Sequence, residues 1–482
     1  MLNGFYRRIK PLEILTEEEV DVIHWGSLEV LERTGLNFLH ERALKLFAEN
    51  GCDVDFETNR VRMPSSLVEE CIRKAPSSFN VKARDPKSDL RIGGNRLYYL
   101  SGAAMRIVDL DTWEARPATM KELDEACVVL DALDSVHMIA DTAPYTDIAG
   151  VPAVMTNLVD TVSHVKNTAK ITMSSGSHGS EIFNVRIAKT IDADMLAFIG
   201  VSAPLTYQRD SCDAAFTQAE AAFPFYVIGS DMMGGTGPAT IAGSLVTTNA
   251  EILAGLVLLQ LVRPGTGIVA GDYTMPLNMR TGEPCFDDLA SSLHTVAFNQ
   301  VMRRYGIPTF ANCPGMSCSK KIDVQSGYER GMTSLAAALS GANIIVLHGS
   351  VYGEYTFHPA QAVLDDDIAS WVGHFIEGME VNDETLAIDL IEEVGPIPGS
   401  YLNKAHTRKW WKTQQFMPKV AERSSYPEWV KMGKTAALDY ARQRSEEILR
   451  THKPLPLPED QDKRIDEIVK EAEDHYRRAG LL

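Results

Sequence analysis

The sequence predicts an α/β protein folded as a (β/α)8 TIM barrel, with a helical N-terminal layer and a helical C-terminal extension. Three observations carry this. Eight apolar runs recur roughly every 30 to 40 residues between Leu97 and Leu347, the strand count and period of such a barrel. The intervals hold segments with helical apolar spacing, among them Met120–Leu133, Gly179–Asp192, Ser211–Ala222, Ala239–Val262 and Leu289–Tyr305. The rival, a doubly wound open sheet, wants Gly-x-Gly-x-x-Gly at its first βα turn, and that fingerprint is absent.

Residues 1–90 read as the helical layer, with Thr16 and Glu19 in capping-box register and Ser65 or Ser66 capping a further helix. Residues 91–358 read as the barrel. Its runs are Leu97–Leu100, Val136–Ala140, Lys170–Met173, Met195–Gly200, Phe225–Ile228, Gly267–Ala270, Thr309–Ala311 and Asn343–Leu347. The stretch Pro308–Gly349 shows one whole unit: an apolar run, a Gly/Ser/Lys loop, a helix over Tyr328–Leu339, a Ser340-Gly341 turn and a second run. Residues 359–482 read as an extension that wraps the barrel or serves an oligomer contact.

With 45% hydrophobic and 23% charged residues among 482, the chain is globular, and its net charge of -18 with a pI of about 5.2 argues against a nucleic-acid partner. The N-terminus shows no secretory signal and no run of 18 apolar residues occurs, so a soluble protein without a membrane partner is expected. Seven scattered cysteines, never spaced CxxC, point to a reducing cytoplasm.

Nearly every run stops in small or polar residues: Ser101-Gly102, Asp141-Thr142, Ser174 to His178, Ser202-Ala203-Pro204, Gly229-Ser230-Asp231, Gly271-Asp272-Tyr273, Asn312 and His348-Gly349-Ser350. In a barrel these ends converge on one mouth, although βα loops favour the same residues as turns and caps. HExxH, paired Cys/His clusters and GxSxG are missing, and Gly234-Gly235-Thr236-Gly237-Pro238 lacks the Walker lysine. A metal site would need dispersed groups such as His178, Asp231, Asp272 and His348; none is expected.

Four stretches carry a resemblance: LTEEEVDVIHWGSLEVLERTG, GPATIAGSLVTTNAEILAGLVLLQLVRPGTGIVAG, KKIDVQSGYERGMTSLAAALSGANII and NDETLAIDLIEEVGPIPGSYLNKAHT. They resemble the trimethylamine methyltransferase superfamily over nearly the whole chain. The resemblance implies a (β/α)8 barrel moving a methyl group from a methylamine to the cob(I)alamin of a partner corrinoid protein, with no cofactor held permanently. Standard residues fill Lys321–Glu329, so the chain resembles the branch without pyrrolysine. That branch implies a quaternary amine: glycine betaine first, with proline betaine, carnitine or another methylamine as alternatives.

Such a substrate asks for a cage of rings around the cation and a partner for any carboxylate. The ring candidates are Tyr98, Tyr99, Tyr207, Tyr226, Tyr273, Tyr352, Tyr355 and Phe357, although any single ring is more often core or loop packing than cage. His348 is the first choice for the carboxylate, with Arg106 or Arg209 in reserve. Asp231 and Asp272 either face the cation or cap helices, and Asn312 and Gln325 are candidates to face the corrinoid. No residue is assigned the chemical step. Two rivals remain, a metal-assisted hydrolase or lyase and a non-catalytic betaine-binding protein, and a homo-oligomer is expected.

Overall fold

Residues 4–140 and 148–482 are described by the computed structural model. Each apolar run forms one barrel strand: β1 (Arg96–Ser101), β2 (Met138–Ile139), β3 (Ile171–Ser174), β4 (Leu196–Gly200), β5 (Phe225–Gly229), β6 (Ile268–Asp272), β7 (Thr309–Ala311) and β8 (Ile344–His348). These eight pair in parallel with one another, and β8 returns to β1 with Ile344 opposite Tyr98 and Val346 opposite Leu100, which closes the barrel; the short strand Phe5–Tyr6 adds antiparallel to the start of β1. Eight helices follow the strands in turn: α1 (Met120–Ala132), α2 (Thr156–Asn167), α3 (Ser180–Ile191), α4 (Arg209–Glu220), α5 (Ile241–Val262), α6 (Leu289–Tyr305), α7 (Val324–Ser340) and α8 (Pro359–Glu377).

Alternation along the strands sorts the core. Tyr98, Leu100, Met138, Ile171, Met173, Tyr226, Ile228, Phe310 and Val346 fill the barrel, while Tyr99, Ala197, Val227, Ala270 and Ile345 face the helices. Helix α5 is long and apolar enough by composition to cross a membrane, but its side chains are mostly buried between β5 and the N-terminal helices.

The N-terminal layer holds helices Glu17–Glu29, Glu41–Glu49 and Ser65–Lys74, the first closed by the expected Thr16–Glu19 capping box. Pro64, not Ser65 or Ser66, takes the cap position of the third, because the serines already have helical geometry. The layer also contains strands. Leu36–Phe38, Arg60–Arg62 and Asp53–Asp55 join Thr206–Tyr207 in a small sheet. A hairpin of Ser78–Val81 and Leu90–Gly93 sends Val81, Leu90 and Ile92 into the barrel core and stoppers its amino-terminal end. Gly267, at the entry to β6, has no room for a Cβ because the Phe79 ring of this hairpin would lie 2.6 Å from it.

The barrel continues past residue 358, where the sequence reading began the extension, because α8 packs on β8 and α7 and completes the eighth βα unit. Helix Ala437–Thr451 packs on α1 and α8, and Glu459–Arg478 packs on α2 and α3. Helices Asp383–Leu386, Ile388–Val394 and Ala405–Gln414 between them bury no side chain.

Glu251 on α5 ties the layer to the barrel. Its Oε1 accepts the Leu205 amide at 2.9 Å, and its backbone carbonyl accepts the Tyr207 hydroxyl at 3.0 Å. Burial pushes its carboxyl up to about 7. A carboxyl raised on folding stabilises most below its unfolded value of 4.5 and loses that contribution as pH climbs through 7, at most on the order of 3 kcal/mol. Glu251→Gln is therefore expected to gain melting temperature on wild type between pH 5 and pH 8, measured by thermal denaturation across that range.

Candidate active site

At the carboxyl ends of the strands lies a cavity of about 450 Å³. The inward residues near each strand end line it: Leu100, Met173, Phe198, Ile228, Phe310 and Val346, joined by Ser175, Ser230, Tyr273 and Asn312 just beyond. Three rings form one wall. Tyr226 stacks on Phe310 with centroids 4.0 Å apart and planes within 13°, and Phe198 meets Tyr226 at 5.6 Å. The wall exists because Gly271, the inward residue of β6, is bare: a Cβ there would lie 1.9 Å from the Tyr226 ring.

Glu354 is the one charged residue among the described residues of the lining. It hangs from the hairpin that follows β8, where Ser350–Val351 pairs with Thr356–Phe357. Tyr352 and Gly353 both adopt left-handed geometry, with φ of 55° and 60°. For tyrosine that is an uncommon and costly conformation, of the kind that gathers at functional sites. Gly353 is wedged against Phe286 and donates its N–H to Ser317 at 3.0 Å, while the Glu354 carbonyl accepts the Met105 amide at 2.8 Å. The carboxylate is thereby held over the cavity. Burial raises its pKa, partly offset by a hydrogen bond from Tyr273. Beside it the Tyr226 hydroxyl is buried with no hydrogen-bond partner among the described residues, a polar group in the wall of a cavity.

Of the residues singled out in the sequence, Tyr226, Tyr273 and Asn312 line this cavity, as do the run-end residues Ser101, Ser175, Gly176 and Ser230. The other candidates for the cage, the carboxylate and the corrinoid do not. His348 faces outward: β8 places Leu347 and His348 against Ser101 alone, and this bulge reverses the side chain from the interior to the helix layer. There its Nε2 lies 3.0 Å from the Ser135 hydroxyl, which also donates to Asp366. Burial lowers the imidazole pKa to about 4, so it is neutral and offers no charge to a substrate carboxylate. Tyr99 also faces outward, against Phe5 and His348. Tyr98 is inside but low in the barrel, its hydroxyl donating to Arg91 at 3.2 Å. Tyr207 stacks on Phe38 in the small sheet, Phe357 is buried against Gly349, and Tyr352 and Tyr355 lie on the hairpin outside the cavity.

Asp231 and Asp272 belong to a buried network behind the strands. Asp231 accepts hydroxyls from Ser244 at 2.6 Å and Thr248 at 3.2 Å, and Gly237 presses against it to close the glycine-rich loop. Asp272 accepts the Thr295 hydroxyl at 2.7 Å and pairs with His294 at 3.0 Å; burial opposes the imidazolium, but the carboxylate outweighs it and raises the His294 pKa. Gln325 donates to Glu329 at 2.8 Å on the first turn of α7, and Arg209 pairs with Asp213 on the surface. His178 is exposed beside Ser177. Asp141 and Thr142 lie outside the described residues. No cluster of three or more His, Cys, Asp or Glu suited to a metal occurs among the described residues.

Phe198, Phe310 and Glu354 were not singled out from the sequence. The signal for the rings was present: each stands at an inward position of a recognised strand, and counting by twos from Tyr226 and its partners reaches them.

The fold and this site define a barrel protein with a small-molecule cavity, walled by rings and charged by one carboxylate. The family model for trimethylamine methyltransferase (MTTB) matches residues 1–476, and the chain belongs to that family. It is 30% identical over 478 residues to a trimethylamine methyltransferase of Desulfitobacterium hafniense (strain DSM 10664 / DCB-2), covering 97% of this chain and 95% of that one. It is 31% identical over 470 residues to a glycine betaine methyltransferase of Desulfitobacterium hafniense (strain Y51), covering 95% and 96%. It is also 29% identical over 491 residues to a trimethylamine methyltransferase of Methanosarcina barkeri (strain Fusaro / DSM 804), covering 99% and 97%. The protein is thus a methyltransferase of the methylamine and betaine group.

Two substitutions separate cavity from scaffold. Gly271→Ala is expected to displace the Tyr226 ring and cut kcat/KM by about 100-fold, since misplacement on the scale of 1 Å costs that much. His348→Ala should leave the KM for the methyl donor within about twofold while lowering the melting temperature, as loss of a buried hydrogen-bonded group does. Steady-state kinetics and differential scanning calorimetry on both variants check this.

Proposed function

We propose that the protein transfers a methyl group from a quaternary amine to the cob(I)alamin of a partner corrinoid protein, with glycine betaine the first donor to test. One observation carries the reading: Phe198, Tyr226 and Phe310 stand together beside Glu354 in a cavity sized for a small molecule. A permanent cation suits that set, because each ring face attracts it by about 0.5 to 2 kcal/mol and the carboxylate adds a full opposite charge. Membership of a family with a glycine betaine methyltransferase among its relatives supports the same donor class.

A quaternary nitrogen is also activated for departure. When a nucleophile takes one methyl in line, the C–N electron pair returns to nitrogen and the leaving group is a neutral tertiary amine that needs no proton. The chain's task reduces to orientation, holding the nitrogen against the rings with one methyl toward the mouth. Ser175, Gly176, Gly200 and Ser230 keep the mouth wall small, which leaves the approach open to a broad acceptor, and Asn312 can offer its amide at the cavity edge.

The reading is tested by supplying cob(I)alamin with a panel of methylated amines and following methylcobalamin absorbance. Turnover is expected with at least one quaternary amine and not with trimethylamine. Turnover with trimethylamine alone would overturn it.

A further inference from the structure

We infer that the preferred donor is a quaternary ammonium without a carboxylate, a choline-type amino alcohol, and that Glu354 is the residue that selects it over a betaine. This rests on the quaternary-amine reading above and narrows it.

Among the twenty described lining residues Glu354 is the sole ionisable carboxylate, and none is Lys, Arg or His. Residues 141–147, outside the described set, read DTAPYTD and add no basic side chain. Nearby cations are engaged elsewhere. Arg330 pairs with Asp365 at 3.0 Å behind β8, and Lys170 donates to the Leu130 and Leu133 carbonyls. Lys320 lies over the Tyr352 ring at 4.0 Å, and Lys321 over Trp113 at 5.5 Å. Arg106, half-buried on the strand paired with Thr356, is not in the lining. His348, the expected carboxylate anchor, is neutral and outside.

A betaine therefore brings its carboxylate into a cavity that already holds one and has no cation to offset it. The carboxylate of glycine betaine is one carbon from the nitrogen, so it cannot leave the field of a group placed to hold that nitrogen. Burying an unpaired charge beside a like charge is strongly unfavourable. A hydroxyl two carbons from the nitrogen meets no such penalty, and neutral partners for it are at hand in Asn157, Ser230, Asn312 and the Tyr226 hydroxyl.

The test is equilibrium binding by titration calorimetry to the full-length protein without corrinoid, using choline, tetramethylammonium and glycine betaine, for wild type and Glu354→Gln. Choline is expected to bind wild type at least tenfold more tightly than glycine betaine, with tetramethylammonium between them. Glu354→Gln should weaken choline at least tenfold and narrow or reverse the gap to betaine, and in turnover it should raise the KM for choline without lowering kcat. Glycine betaine binding wild type as tightly as choline or better would overturn the inference while leaving the quaternary-amine reading intact, and this comparison needs no variant to fold. Binding of none of the three would overturn both.

Discussion

A closed barrel gives each strand residue two choices, inside or outside, and this alternation governs everything at the mouth. Because β8 pairs with β1 there is no edge at which a strand can slip, so the hydrophobic interior fixes the register of all eight. Once Tyr226, Phe310 and Val346 are inside, the residues one step on face the helices. Asp272 and Asp231 are sent outward by this rule, while Tyr273 and Asn312 are sent in.

The result is two polar systems kept apart by the barrel wall. Outside it, Asp272 is paired with His294 and Asp365 with Arg330. Arg330 joins Asp365 and donates to the Leu347 and Ser350 carbonyls, and Asp365 also accepts the Gly349 amide at 2.9 Å. Burial still lifts the Asp365 carboxyl to about 6. Breaking so buried a pair would leave an uncompensated charge, so its geometry is obligatory and with it the exit of the chain from β8. Inside, Glu354 has Tyr273 and, among the described lining residues, no cation. The outer pair fixes the root of the hairpin that delivers the inner carboxylate.

This division also explains what could be read from the sequence. All eight strands and helix α6 stand where their apolar patterns place them, since core periodicity is a local property. Helix α2, rich in Thr, Ser and Asn, carries a weaker pattern. For the site, polarity at a strand end gave its location but not the facing of each side chain. His348 would have faced inward but for the bulge that sets Leu347 and His348 against one residue of β1, and a bulge is a pairing property with no signature in a single strand. Glu354 depends on two consecutive left-handed residues, one of them a tyrosine, which no propensity anticipates. Phe198 and Phe310 were within reach by counting in twos from the strand centres.

On the proposed reaction the inner carboxylate and the rings play different parts. The nitrogen carries its full charge before transfer and none after it, so attraction to Glu354 weakens along the reaction coordinate. An interaction that is stronger in the ground state than in the transition state lowers KM and does not accelerate the chemical step. It also lets the neutral amine go. Acceleration must then come from alignment, which the stacked pair Tyr226 and Phe310 imposes on the C–N bond and which the bare Gly271 makes room for. The glycine, with no functional group of its own, is accordingly closer to the source of the rate than the one charged residue in the cavity.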